Sequence, residues 1–149
     1  MNSQNLAFIS MTLENKLAQQ DKFLVLQQCE NLDDDSVSLF STLNLKSPLT
    51  GLLIHWLVGI FGGGRFYKGN IMQGILYIVA SVVIFILFVC GAVMKEESGD
   101  ETLLGVSALF FLIYVIVLLA DYYFIYKGIQ KDNLDKIQKF LFFHQRTKQ

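Results

Sequence analysis

Two long uncharged runs constrain this chain more than any other feature of its sequence. Residues 71–94 hold 24 positions without a charge, and residues 103–120 hold 18 more before Asp121, after which Tyr122 to Tyr126 continue the apolar character. At about 1.5 Å of rise per residue, runs of this length cross a hydrocarbon layer of roughly 30 Å as α-helices. Lipid offers the backbone no water to bond with, so a segment that pairs its own N–H and C=O groups is favoured there. Residues 71–94 and 103–126 therefore read as transmembrane helices. The loop between them, residues 95–102, is KEESGDET, with four acids and one lysine. A composition of 53% hydrophobic and 17% charged residues agrees with a membrane protein.

A third apolar stretch follows Pro48, the only proline, which marks the boundary between a polar N-terminal region and the membrane domain. A short helix is expected over residues 49–64, although the stretch also carries Thr50, Gly51, His55 and Gly59. The 13 residues from Leu49 to Phe61 suit a re-entrant or half-buried helix, whereas including the glycines, Phe66 and Tyr67 gives a segment long enough to cross. Both readings stand at this stage; a short helix packed on the two spans is the preferred one. The expected fold class is all-α: an integral membrane helical hairpin core, an additional short apolar helix and amphipathic terminal helices. The corresponding domains are residues 1–46, an N-terminal amphipathic region on the cytoplasmic side; 47–128, the membrane domain; and 129–149, a basic amphipathic cytoplasmic tail.

In the N-terminal region, Leu6, Ile9, Leu13, Leu17 and Leu24 fall on one helical face, which predicts a helix over residues 5–28. Asp33, Asp34 and Asp35 then supply a break and an N-cap for a short helix over residues 36–43. The first 30 residues lack the basic, apolar and small-residue succession of a secretory signal, so insertion through the internal helices is expected. In the tail, Leu134, Ile137 and Leu141 lie among Phe140, Phe142, Phe143, Lys131, Lys136 and Lys139. That pattern fits a helix lying on an anionic membrane surface through Lys131, Lys136, Lys139, Phe140 and Phe143; a protein-binding helix has the same pattern. The basic residues after Tyr126 place the C-terminus in the cytoplasm by the positive-inside rule, with the loop carrying Arg65 and Lys68 on the same side and the acidic hairpin outside.

The net charge of −1 gives no footprint for nucleic acid. Cys29 and Cys90 are far apart, one of them inside a span, and read as buried apolar side chains rather than a disulfide or metal site. The sequence implies no cofactor.

The densest motif is GIFGGGRFYKGN, residues 59–70. Gly59 and Gly63 form a G-x-x-x-G pair, and Gly51, Gly59, Gly62 and Gly63 are small positions where helix backbones can approach closely. The three consecutive glycines are expected to end or bend the first helix. A phosphate-binding loop is excluded, because no Lys-Ser or Lys-Thr follows at the required spacing. With Arg65, Phe66, Tyr67 and Gly69, followed by Gly74, Ile75 and Leu76, the segment SPLTGLLIHWLVGIFGGGRFYKGNIMQGILYIV resembles the transmembrane-2 domain family. Gly64 stands where that family usually carries Asp or His. The resemblance extends to ADYYFIYKG, where Asp121 matches an acid of the family's last helix, and covers residues 47–128. It implies an integral membrane protein built around a helical hairpin.

Asp121 is the residue that physical chemistry singles out, because a carboxylate within a span is costly and normally faces protein, water or a partner. Its position, about 27 Å along the second span at 1.5 Å per residue, is the depth expected for Arg65, so an intramembrane Arg65–Asp121 pair is predicted that fixes helix register. His55 lies on the face of Gly51 and Gly59 and has no partner at metal-ligand spacing, so an interhelical hydrogen bond is expected of it. No nucleophile, base and metal set assembles from these residues, and no enzymatic activity is expected. The expected role is a small protein of a bacterial inner membrane that acts as a structural or interaction module. Its expected partners are the lipid bilayer, a second copy or another membrane protein through helix–helix contact, and a cytoplasmic partner through the termini. The alternative is a component of an oligomeric channel or transporter that uses Asp121.

Overall fold

The computed structural model describes residues 3–30, 32 and 34–146. Among these the chain is helical throughout, without strands: α1 Ser3–Leu13, α2 Gln19–Cys29, α3 Asp34–Ser41, α4 Pro48–Val58, a 3-10 turn Gly59–Phe61, α5 Gly63–Lys68, α6 Ile71–Ser98 and α7 Thr102–Arg146. The helices fall into two compact units, Gly51–Ile125 and a terminal unit of Met1–Thr50 with Tyr126–Gln149. Helix α7 contributes residues to each.

The unit Gly51–Ile125 is an all-α membrane hairpin with a shorter apolar helix packed on it. Its long helices are rich in Ile, Val and Phe, whose branched and aromatic side chains are mediocre helix formers in water. Here most of them face outward, as Phe85 and Leu119 do, which suits a lipid environment and would be untenable in water. At the end of α6, Gly99 takes a φ of 72° and its amide donates to the Lys95 carbonyl at 3.0 Å. Asp100 Oδ1 then accepts from the Thr102 amide at 2.8 Å, one of the unpaired donors that a helix start presents. These bonds to Thr102 hold the Asp100 carboxyl below the usual range. The two helices run back on each other closely. A Cβ on Gly91 would lie 2.8 Å from the Leu104 amide nitrogen, and farther along the seam Phe88 meets Phe111 edge to face at 6.1 Å.

In the terminal unit, α1, α2, α3 and the last part of α7 enclose one hydrophobic core. Ile9, Leu13, Val25, Cys29, Phe40, Ile137 and Leu141 are buried in it, and Phe40 stands edge to face on Phe140 at 5.7 Å. The single N-terminal helix expected over residues 5–28 is instead two helices. The chain breaks after Leu13, and Asn15 adopts a left-handed φ of 58°, which asparagine tolerates better than most residues. Apolar spacing does not reveal the break, because Ile9 and Leu13 before it, Leu17 within it and Val25 after it all reach the same core. The break turns α2 so that Leu24, expected on the buried face, is 55% exposed while Val25 and Cys29 point inward. Burial pushes the Cys29 thiol up to about 11. The third helix runs Asp34–Ser41 rather than over residues 36–43, so Asp34 and Asp35, expected in the break before it, belong to its first turn, and Asp33 lies outside the described residues.

The basic tail continues α7 without interruption to Arg146. Ile129, Asn133, Ile137 and Leu141 recur every four residues and are all buried. Asn133 interrupts this apolar stripe with a purpose. Its Nδ2 donates to the carbonyls of Lys16 at 2.9 Å and Lys46 at 2.8 Å, and its Oδ1 accepts from the Lys46 amide at 3.0 Å. One buried amide thus pairs backbone groups of Lys16 in the α1–α2 connection and of Lys46 in the α3–α4 connection. Replacing Asn133 with Ala should cost about 3 kcal/mol, since orphaned buried groups cost about 1–3 kcal/mol each. The check is hydrogen exchange at the Lys46 amide, which should lose its protection; unchanged protection would contradict this role.

Candidate functional site

The motif of residues 59–70 folds as two helical ends placed back to back. Gly62 closes the 3-10 turn with a φ of 73°, its amide donating to the Gly59 carbonyl at 2.8 Å. A side chain there would be strained in φ and would also meet the Gly74 backbone at 2.7 Å, so α6 packs directly on the break. The stretch expected as a turn, Arg65-Phe66-Tyr67, is helical and forms most of α5. Gly69, at φ 107°, ends it: the Gly69 amide donates to the Phe66 carbonyl at 3.0 Å and the Asn70 amide to the Arg65 carbonyl at 2.9 Å, a Schellman closure. Phe66 then lies against Gly74, where a Cβ would come within 2.7 Å of its ring.

This short helix aims Arg65 at α7. Arg65 Nε donates to Asp121 Oδ2 at 2.8 Å, and Nη2 donates to Oδ1, so the guanidinium grips the carboxylate with two parallel bonds. The pair is secluded, with side-chain exposures of 13% for Arg65 and 2% for Asp121. The remaining edge of the guanidinium is held as well. Arg65 Nη1 donates to Gln73 Oε1 at 2.5 Å, and Asn70 Nδ2 donates to the same oxygen at 2.9 Å.

Two further bonds join the first apolar segment to α7. The His55 ring lies edge to face on Tyr122 at 4.7 Å, and its Nε2 is 3.1 Å from the Leu118 carbonyl, a distance at which a protonated Nε2 donates. Nδ1 of the same ring is buried without a partner. Tyr114 donates its hydroxyl to the Ile60 carbonyl at 2.6 Å, with the Tyr77 carbonyl 3.2 Å away. Breaking a helix in an apolar setting strips carbonyls of their intrahelical donors, and Tyr114 supplies the replacement.

Residues 44–93 match the TM2 domain family. The chain carries a TM2 domain. Neither the curated proteins nor the solved structures include a match to it. With two helices long and apolar enough to cross a membrane, the chain is a small membrane protein. The match takes in α4, α5 and most of α6 and stops short of α7, so Asp121 is the partner that a helix outside the matched stretch brings to Arg65 of the TM2 domain.

The glycines assigned to helix packing are used inside the TM2 domain itself. Gly51, Gly59 and Gly62 are buried, and a Cβ on Gly63 would run into the Val58 side chain. Gly59 makes room for the His55 ring, 3.1 Å from where its Cβ would stand. Gly64 is similarly hemmed in: a Cβ would approach Ile125 Cδ1 to 2.6 Å and His55 Cβ to 2.7 Å. Neighbours therefore occupy the space where the resembling family usually carries Asp or His. The tail residues divide between two surroundings. Lys136 Nζ donates to the Asn44 carbonyl at 2.7 Å and Phe140 packs on the terminal core, while Lys131, Lys139 and Phe143 remain exposed. The apolar face read as free for a membrane surface is thus partly covered by α1–α3, because Ile137 and Leu141 find apolar partners within the chain. Sequence reasoning missed Gln73, Tyr114 and Asn133, whose roles rest on carbonyls and side chains that only folding brings near. Among the described residues no three His, Cys, Asp or Glu side chains are grouped as metal ligands.

Removing one member of the ion pair leaves the other buried and uncompensated. Arg65→Met or Asp121→Leu alone should therefore cost about 3–5 kcal/mol, and the double variant should recover most of that loss. Unfolding in mixed micelles with rising dodecyl sulfate measures this; a double variant as unstable as the worse single one would refute the coupling. Gly64→Ala should cost about 1–3 kcal/mol by overpacking, read in the same titration.

Proposed function

We propose that this protein is a non-enzymatic interaction module of a bacterial inner membrane, which associates with a second copy or another membrane protein and presents its terminal unit to the cytoplasm. The observation that carries this reading is the inward pairing of the polar groups of the membrane unit. Arg65 holds both oxygens of Asp121, Tyr114 serves the Ile60 carbonyl, and Ser81 and Ser107 donate to the carbonyls of Ile78 and Leu104 on their own helices, each at 2.8 Å. A conduction path calls for polar groups facing water, and catalysis calls for reactive groups facing a substrate. What the membrane unit turns outward is apolar surface, Trp56, Leu57 and Phe61 on the first segment and Phe85, Phe110 and Leu119 on the two long helices. With the glycines already in use, self-association falls to these outer faces, where packing of side chains and displacement of lipid drive contact.

The terminal core supports a location of both terminal regions on one side of the membrane. Residues from α1–α3 and from the end of α7 share that core, which supports an even number of crossings, with α6 and α7 as the two spans and α4 re-entrant. The basic residues after Tyr126 support a cytoplasmic location for that unit and an external one for the acidic hairpin.

The test is recovery of the protein from its native membrane in lipid nanodiscs after co-expression of two differently tagged copies. Joint recovery of both tags, or of one tag with a stoichiometric membrane partner, is expected. A single copy recovered alone, or ion flux in proteoliposomes that Asp121→Ala abolishes, would overturn the proposal.

A further inference from the structure

Where the α1–α2 connection meets α7, the terminal unit encloses a cavity of about 330 Å³, walled by Glu14, Leu17 and Lys22 on one side and by Tyr126, Lys127 and Gln130 on the other. Gln130 is only 6% exposed, and its Oε1 is buried without a donor. A buried oxygen in that state is costly, and one on the wall of a cavity is relieved by a donor that enters it. We propose that this cavity binds a phosphoethanolamine group, its ammonium donating to Gln130 and Glu14 and its phosphate accepting from Lys22 and Lys127.

The groups around the cavity set the class of occupant. Lys22 is half-buried, while Glu14 and Lys127 stand at the exposed rim. Among the described residues, none of these three side chains takes part in an ion pair or a hydrogen bond, so the carboxylate does not neutralise the ammonium groups beside it. Asn15, Gln19 and Tyr126 also line the cavity, and each can both donate and accept, so they favour neither sign of charge. A plain anion would serve the two lysines and leave Glu14 and Gln130 Oε1 without donors. A plain cation would do the reverse. A molecule that carries a phosphate and an N–H-bearing ammonium meets both demands with charge-assisted bonds. A quaternary ammonium does not, because it has no N–H to give. Tyr126 closes the second apolar run and Lys127 follows it, so the cavity borders the interface where lipid headgroups lie. Its apolar walls are limited to Leu17 and Ala18, which suits a headgroup whose acyl chains stay in the bilayer.

Native mass spectrometry of the full-length protein in detergent, with phosphatidylethanolamine or phosphatidylcholine of identical chains, tests the assignment, since the two lipids differ only in the N–H groups of the headgroup. Phosphatidylethanolamine should be retained about tenfold better, the order expected for a hydrogen bond to a charged group. Gln130→Leu should bring the two lipids close to parity. Lys22→Gln should weaken both lipids by a similar factor, because both carry the phosphate. Circular dichroism checks that each variant is folded; should Gln130→Leu fail to fold, Glu14→Gln at the rim decides the same point by lowering the preference. A last arm separates the two sources of the group: millimolar O-phosphoethanolamine that leaves the lipid bound assigns the site to the headgroup, and displacement assigns it to the free ester. Equal retention of the two lipids by the unmodified protein, a preference untouched by Gln130→Leu and Glu14→Gln, or retention of both lipids unchanged by Lys22→Gln would each overturn the proposal.

Discussion

A guanidinium and a carboxylate secluded from water cannot stand alone, and the membrane unit is organised around keeping Arg65 and Asp121 together. The two residues come from α5 and α7, separated by the whole of α6. Their contact requires α5 to be short, to end sharply at Gly69 and to present Arg65 toward α7. A bidentate grip also restricts rotation and sliding more than a single contact would. The energetic gain from such a pair is small after desolvation, but the cost of separating it is large. Its effect is therefore to select one register of α7 against the rest of the unit.

The same economy governs the other polar atoms of that unit. A helix interrupted at Gly59–Gly62 leaves carbonyls without donors, and Tyr114 and His55 are the side chains that connect the interrupted segment to α7. Glycines permit this because the backbone of Gly62 lies directly against that of Gly74, leaving no room for side chains between them. The cluster of Asn70, Gln73 and Arg65 completes the arrangement at the start of α6. Outward-facing side chains are left almost entirely apolar, which is the surface that lipid and neighbouring helices meet.

Much of this was legible in the sequence where a single residue type carries a strong penalty. Asp121 announces itself as a charge in an apolar run, and counting depth along the helix points to Arg65; the geometry of the grip and the part played by Gln73 cannot be counted. The glycine run marks a break, yet its pattern also fits an outward packing face, and only the positions of Val58, His55 and Gly74 show what fills the space. In the terminal unit the apolar spacing located the buried face of α1 but neither the break at Asn15 nor the inward face of α2, because Leu17 within the break reaches the same core and the break then turns α2. Asn133 looked like any polar residue of a basic tail until the backbone of Lys16 and Lys46 was placed around it.

By itself the sequence determined the all-α class, the two membrane helices, the acidic loop between them and the isolation of Asp121, since each follows from the cost of placing charge or unpaired backbone in an apolar medium. The tertiary structure decided which partners meet those needs: α5 as a helix rather than a turn, Tyr114 for the Ile60 carbonyl, and Ile137 and Leu141 in a core with α1–α3 rather than free. The physical reason is that a burial penalty is local and can be read from one residue, whereas relief of that penalty depends on distance between segments far apart in the chain, and distance is set only when the helices pack.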